Sequence, residues 1–91
     1  MELTEPIETS IDHEARAAYV TFHAFAPGEN VRCLRLEHDV VVEFNAADEV
    51  LGLELLDFEP ETIARADAFC QRNDLHFPLQ VFEALEPRLS A

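Results

Sequence analysis

The sequence predicts an α+β fold: a four- to five-stranded antiparallel β-meander followed by a C-terminal α-hairpin packed on the sheet. Two patterns and the chain length predict it. Residues 31–56 alternate apolar and polar side chains with a period of two, which is typical of half-buried antiparallel strands. From Pro60 onward the apolar residues recur with the helical period of 3.6. A length of 91 residues supports one small core, so we expect a single domain over 1–91, with the meander in 3–56.

The residues before this stretch predict two strands and a turn. Residues 3–11 mix Thr and Ile with Glu around Pro6, which indicates an edge strand whose missing backbone donor faces solvent. The carboxylate of Asp12 can accept a backbone N–H two residues on, in an Asx-type turn. This turn leads into a second alternating strand over 17–22, and the turn residues Pro27-Gly28 separate it from the third.

The register of the central hairpin follows from its apolar positions. A tip at residues 46–49 puts three apolar pairs on one face: Phe44 with Leu51, Val42 with Leu53, and Val40 with Leu55. A turn at residues 37–39 extends this face back to Leu34 and Leu36. Because a slip of one residue would turn every apolar side chain to the other face, the register is strongly specified. The tip has no glycine, so an Asp or Asn must supply any positive φ.

Two helices are predicted at the C-terminal end. The first, over residues 60–73, begins at Pro60, whose missing N–H would be unpaired in the first turn, and carries an apolar stripe: Ile63, Ala66, Phe69 and Cys70. The second, over residues 78–86, begins at Pro78 and carries a shorter stripe: Leu79, Phe82 and Leu85. Two amphipathic stripes need an apolar surface to bury, so we expect the helices to cover one face of the sheet.

Charge excludes several classes of partner. The chain has 6 basic residues, all Arg, against 19 acidic residues, for a net charge of −13. Such a field repels nucleic-acid phosphates and anionic lipids and attracts basic proteins or cations. We therefore expect no nucleic-acid partner and no membrane partner. The simpler interpretation of the acidity is that it keeps a small domain soluble.

Cysteine usage and the N-terminus predict the compartment. Cys33 and Cys70 are too few for a disulfide framework and lack C-x-x-C spacing, so both are interpreted as reduced thiols. The acidic N-terminal residues have neither the basic nor the apolar region of a signal peptide, and no apolar run reaches the length of a membrane span. Together these features predict a cytoplasmic protein.

Two motifs in the predicted strands are distinctive: Asp12-x-Glu14-Ala15-x-Ala17-x-Tyr19-Val20 and Val50-Leu51-Gly52-Leu53-Glu54-Leu55-Leu56. Together they resemble the YDxEADALYI opening and the GIEIL close of a small uncharacterised bacterial family, domain of unknown function 2283. The resemblance covers residues 11–56, with Ile11 in place of the opening Tyr and Arg16 in place of an acidic residue. It implies a compact β-meander and no reaction. Because some relatives resemble products encoded beside toxin-like proteins, it also suggests a neutralising, antitoxin-like role.

Candidate catalytic and metal-binding residues are sparse. The histidines lie in separate turns or strand ends, and none has a second ligand at a spacing such as H-x₃-H: His13, His23, His38 and His76. Glu43 and Glu54 are diagonal neighbours within reach of Arg35, so they could hold a cation or act as acid and base, or form a solvated pair balanced by the arginine. No Ser-His-Asp order, Cys-His nucleophile or Gly-rich phosphate loop is present. We expect no catalytic residue, no cofactor and no metal ligand.

The polar face of the central hairpin is the candidate interaction surface. Gly52 lies mid-strand, where glycine weakens a strand unless something approaches closely, and its neighbours are too apolar for a face that meets only water. Either the helices or a second copy of the chain would cover it. The residues predicted for this surface are Tyr19, Val41, Glu43, Val50, Gly52, Glu54 and Leu56.

Three functional hypotheses follow. The first is a non-enzymatic protein-binding module whose acidic surface engages a basic partner, either as an antitoxin-like protein or as an acidic mimic of DNA. The second is a structural protein that self-associates as a homodimer. The third is a small enzyme or metal binder that uses Glu43 and Glu54 with a nearby histidine.

Overall fold

A computed structural model describes residues 3–85 and confirms the predicted fold class. One antiparallel sheet of five strands is followed by two helices. The elements are β1 (Glu8–Asp12), β2 (Ala17–Thr21), β3 (Arg32–Leu36), β4 (Val40–Phe44), β5 (Val50–Leu55), α1 (Pro60–Arg72) and α2 (Leu79–Glu83). Among the described residues, no helix has the length and apolar character needed to cross a bilayer.

The strand order in the sheet is β1-β2-β5-β4-β3, which differs from an uninterrupted meander. β1 pairs with β2, and β3, β4 and β5 follow one another in space, but β2 pairs with β5 rather than with β3. The pairing aligns Ala18 with Leu55 and Val20 with Leu53, and all four side chains are buried. The central strand β5 therefore has apolar neighbours on both sides, while β3 occupies an edge.

Most of the predicted register is confirmed. Val40 faces Leu55, and Val42 lies between Leu34 on β3 and Leu53 on β5. The two hairpin turns take positive φ at non-glycine residues, Glu37 (56°) and Asp48 (62°). The tip is held by Asn45, whose side-chain oxygen accepts the N–H groups of Ala47 and Glu49.

The predicted pair of Phe44 with Leu51 is wrong. The register shifts between Glu43 and Phe44, so that Phe44 faces Val50. A bulge adds one residue to one strand and therefore changes which side chains face the core beyond it. Val50 consequently joins the core instead of the polar face.

The core lies between one sheet face, here called the inner face, and the helices. Its inner-face residues come from β2, β4 and β5, and Phe58, α1 and α2 close over them. The core consists of Ala18, Val20, Phe22, Val40, Val42, Phe44, Val50, Leu53, Leu55, Phe58, Ile63, Ala66, Phe69, Cys70, Leu75, Phe77, Phe82 and Leu85. Both predicted helical stripes contribute to it, although Leu79 is only partly buried. The helices thus cover the inner face and leave the opposite, outer face without a layer among the described residues.

The ends of several elements differ from the prediction, and β2 ends at Thr21, one residue early. β1 begins at Glu8 rather than at residue 3, because the segment around Pro6 leaves the sheet and Thr4 instead bridges to Leu75. α1 ends at Arg72, one residue early. α2 is shorter than predicted, since Pro78 precedes it and its helical turns stop at Glu83; residue 86 lies outside the described part of the chain.

The β3–β4 turn is anchored to α1 by a buried polar cluster. Asp39 is only 3% exposed, and its Oδ2 accepts hydrogen bonds from Thr62 Oγ1 (2.8 Å) and from Arg65 Nη1. Thr62 Oγ1 also lies against Asp57 Oδ1, and because a hydroxyl carries one proton it donates to one carboxylate at a time. Burial would raise the pKa of Asp39, but the hydrogen bonds from Thr62 and Arg65 and the charge of Arg65 outweigh it and lower the pKa.

The two cysteines are expected to differ sharply in reactivity. Cys33 is exposed, whereas Cys70 is fully buried, and burial raises the pKa of the Cys70 thiol to about 12. The thiolate is the reactive form, so a thiol reagent should modify one cysteine in the native protein and both in denaturant. Cys33→Ser should remove the native reaction. Equal native reactivity of both thiols would contradict the packing of α1.

Candidate functional site

The outer face holds the predicted interaction residues, with two exceptions. Tyr19, Val41, Glu43 and Glu54 are half-buried and surround the buried Gly52 at the centre of this face. The assignment of Val50 to the surface is wrong, because the bulge directs the Val50 side chain towards the core. Leu56 lies just past the end of β5 and is 39% exposed.

Tyr19 explains the glycine in the middle of β5. A Cβ atom on Gly52 would lie 2.6 Å from the Tyr19 ring and hydroxyl and 2.6 Å from the backbone oxygen of Val20. The ring therefore lies across the strand where only glycine leaves space, in the way that aromatic side chains cover glycines in sheets. The close approach predicted from the sequence is made by the chain's own tyrosine.

The tyrosine hydroxyl is part of a polar cluster around Glu43. Tyr19 donates to Glu43 Oε1 at 2.7 Å, and Asn30 Nδ2 donates to Glu43 Oε2 at 2.6 Å. Burial raises the pKa of Tyr19, and its hydrogen bond to the Glu43 carboxylate raises it further, so the hydroxyl stays protonated as a donor. Arg35, which was expected to balance the two glutamates, instead donates to the backbone oxygen of His38 at 3.4 Å.

A shallow depression of about 150 Å³ lies beside this cluster, between β1, β2 and β5. Its lining residues are Ser10, Asp12, Ala17, Ala18, Tyr19 and Glu54. Asp12 is held in place by the predicted Asx turn, because its Oδ1 accepts the N–H groups of Glu14 (3.1 Å) and Ala15 (3.0 Å). Two carboxylates and an aromatic ring around a small alanine suit the ammonium of a lysine or the guanidinium of an arginine.

Three polar members of this site were missed from the sequence. Asp12 was interpreted only as a turn residue, and neither Ser10 nor Asn30 was singled out. The β1–β2 register places Ser10 opposite Tyr19 and Asp12 opposite Ala17, so Ser10 and Asp12 join the outer face. Alternation along β1 could have indicated both residues if the strand had been assigned to residues 8–12.

The histidines do not build a metal centre in the part of the chain that the structure describes. His23 Nδ1 contacts the backbone oxygen of Val50 at 2.9 Å, and His76 Nδ1 pairs with Glu5 at 2.7 Å on the surface. No three His, Cys, Asp or Glu side chains within residues 3–85 converge as ligands. The described part of the outer face therefore presents carboxylates without a preformed ion cage.

No family model matches the chain, and neither a curated protein nor a solved structure does. The resemblance to domain of unknown function 2283 therefore stays a prediction.

Proposed function

We propose that this protein is a non-enzymatic protein-binding module that holds a basic segment of a partner protein against its outer sheet face. The observation that carries the proposal is the depression beside Tyr19, where Asp12 and Glu54 flank a small alanine. A Lys or Arg side chain of the partner would enter the depression, with its charge between the carboxylates and its stem over the Tyr19 ring.

The charge of the outer face supports a basic partner. Its acidic residues are Glu8, Asp12, Glu43 and Glu54, against the single basic residue Arg35. The net charge of the whole chain, −13, has the same sign. Charge of one sign steers an oppositely charged partner to the surface and raises the association rate.

The rigidity of the site supports binding as well. The site stands on paired strands, and the hydrogen bonds of Tyr19 and Asn30 hold Glu43 while the Asx turn holds Asp12. Side chains that are already positioned lose little conformational freedom when a partner binds. The resemblance to the uncharacterised bacterial family adds a candidate class of partner, a basic toxin-like protein neutralised by this chain.

Removing the charge of Glu54 should weaken binding of a basic peptide more than removing a charge elsewhere. The probe is a short peptide of alternating Arg and Ala, titrated while backbone amide resonances are followed by NMR. Glu54→Gln should weaken binding about three- to fivefold, the value of a partly exposed ion pair. The matched control is Glu61→Gln, which removes an exposed charge in the first turn of α1 and leaves the same net charge.

We expect the amides around Ala17, Tyr19 and Glu54 to shift, and binding to weaken as salt rises. Equal effects of the two variants, or shifts spread evenly over sheet and helices, would show only nonspecific attraction and contradict the proposed site. The tagged protein should also recover a basic partner from its native host at low salt and lose it at high salt.

A further inference from the structure

The edge strand β3 is the least protected part of the sheet. Four of its five residues are exposed, and the helices pack against β4 and β5 instead. Leu34 projects from the inner face but is 39% exposed, and Val31, just before the strand, is 61% exposed. An edge strand with uncovered apolar side chains and outward backbone groups is a template for another strand.

The two edges of the sheet differ in charge. β1 carries Glu8 and Asp12, which repel a second copy of this acidic chain, and the nearby Pro6 removes a backbone donor. β3 carries Arg32 and Arg35 and has neither an acidic residue nor a proline. Arg32 is already engaged, since it lies 3.9 Å from the centre of the Phe44 ring and bonds to Asp48. The β3 edge therefore lacks the acidic residues and the proline found at the β1 edge, and its two arginines attract rather than repel a second acidic chain.

We propose that two copies of this chain pair through β3, antiparallel, about a two-fold axis at Leu34. The five-stranded sheets would then join into one sheet of ten strands. Leu34 meets its counterpart on the axis, which covers both exposed side chains. In this register Arg35 of one copy stands opposite Cys33 of the other.

Charge complementarity selects this register. Cys33 is the cross-strand neighbour of Glu43, so the partner's Arg35 can reach over the small cysteine to the Glu43 carboxylate. Within its own copy Arg35 makes only the 3.4 Å bond to the His38 carbonyl. Each copy thus supplies the positively charged side chain that the polar cluster around Glu43 in the other copy lacks. The two outer faces become one continuous surface.

The proposed dimer does not rest on the proposed function, and the two proposals predict opposite effects of salt. Two chains of net charge −13 repel each other, and this repulsion outweighs the attraction of two exposed ion pairs. Screening therefore strengthens the dimer, whereas screening weakens binding of a basic peptide. If either the dimer or the binding of a basic segment is disproved, the other proposal is unaffected.

Sedimentation of the 91-residue chain over a salt series tests the dimer. At high salt we expect a mass of twice 10.3 kDa. Leu34→Glu places two carboxylates together on the axis and should weaken the dimer at least about tenfold. Ile7→Glu replaces another exposed apolar side chain with the same charge, just before the other edge strand, and should leave the dimer intact. A monomer at every salt concentration, with protein concentrations up to about 1 mM, would overturn the proposal. Equal dimerisation of the two variants would overturn it as well. Circular dichroism checks that both variants are folded.

A disulfide trap tests the register. In a Cys33→Ser background, Leu34→Cys places two thiols on directly opposite residues, about 4.5–5.5 Å apart between Cα atoms, which a disulfide can bridge. Mild oxidation should yield a covalent dimer. Leu36→Cys in the same background is the control, because its counterpart lies four residues along the strand and more than about 10 Å away. Equal cross-linking of both variants, or none with Leu34→Cys, would overturn the proposed register.

Discussion

Replacing Arg65 with alanine should lower the free energy of unfolding by about 2–3 kcal/mol, one of the largest losses expected from a single substitution that leaves the core untouched. The side chain of Asp39 is 5% exposed and that of Arg65 is 30% exposed. Removing the arginine leaves a buried carboxylate with at most one hydrogen bond, from the Thr62 hydroxyl that it shares with Asp57. The value stays below that of a fully buried pair because water reaches the arginine. For a domain of this size, thermal denaturation should show a fall in Tm of roughly 10–20 °C.

The pH dependence of this loss identifies its cause. In the parent protein the pKa of Asp39 is lowered by folding, so its contribution is complete at neutral pH and disappears as the pH falls through the folded pKa. Without Arg65 two of the effects that lower the pKa of Asp39 are lost, so this pKa rises relative to the parent and the folded variant binds a proton more readily. The difference between the two proteins should therefore be largest near neutral pH and shrink as the pH falls, first through the higher pKa of Asp39 in the variant and then through its lowered pKa in the parent.

Arg72→Ala is the matched control for this substitution. Arg72 is an exposed arginine in the last turn of the same helix, where a positive charge favours the helix dipole by about 0.3–1 kcal/mol. Its loss should be small at every pH in this range. If Arg65→Ala cost no more than Arg72→Ala, or if its cost did not vary with pH, the buried cluster would not anchor the β3–β4 turn.

The fold class and most of the register could be predicted because they depend on local periodicity. Alternation in residues 31–56 defined which side chains share a face, and apolar spacing after Pro60 defined both helices. The order of the strands could not be predicted, because β2 and β3 both carry apolar side chains on one face. No local pattern decides which of the two strands lies beside β5. That choice is made by burial: Ala18 and Val20 are covered, whereas Leu34 is not.

Two further errors have distinct physical causes. Val50 was assigned to the wrong face because alternation assumes even pairing, and a single bulge reverses the assignment of the residues beyond it. Asp39 was not singled out because a turn aspartate is ordinarily solvated. Its burial results from the docking of α1, which brings Thr62 and Arg65 to the turn from more than twenty residues away.

Only part of the candidate site could be predicted, because alternation along each strand is local and the pairing of distant strands is not. The outer-face members of β2, β4 and β5 follow from alternation and from the central register. The depression requires β1 and the Asx turn as well, and it exists only because β1 pairs with β2 in one particular register. A surface assembled from three strands thus needs long-range pairing that no local pattern specifies.

Gly52→Ala should destabilise the protein by about 2–3 kcal/mol, although alanine in an open strand is ordinarily more favourable than glycine. The added methyl group would lie 2.6 Å from the Tyr19 ring and 2.6 Å from the Val20 carbonyl oxygen. The ring can rotate away only by giving up its hydrogen bond to Glu43, and the carbonyl belongs to the paired backbone of β2. Because neither contact yields freely, the sign of the effect is reversed. Chemical denaturation of the variant measures it.

A double-mutant cycle with Tyr19→Ala separates the two contacts. Removing the ring relieves one clash and leaves the other, so Gly52→Ala should cost less in the Tyr19→Ala background, with a coupling of about 1 kcal/mol or more. The remaining cost reports the backbone contact with Val20. A stabilising effect of Gly52→Ala in the parent protein would mean that Tyr19 does not lie across β5. In that case the tyrosine would be free to move, and the wall of the depression that is proposed to receive a basic side chain would not be preformed.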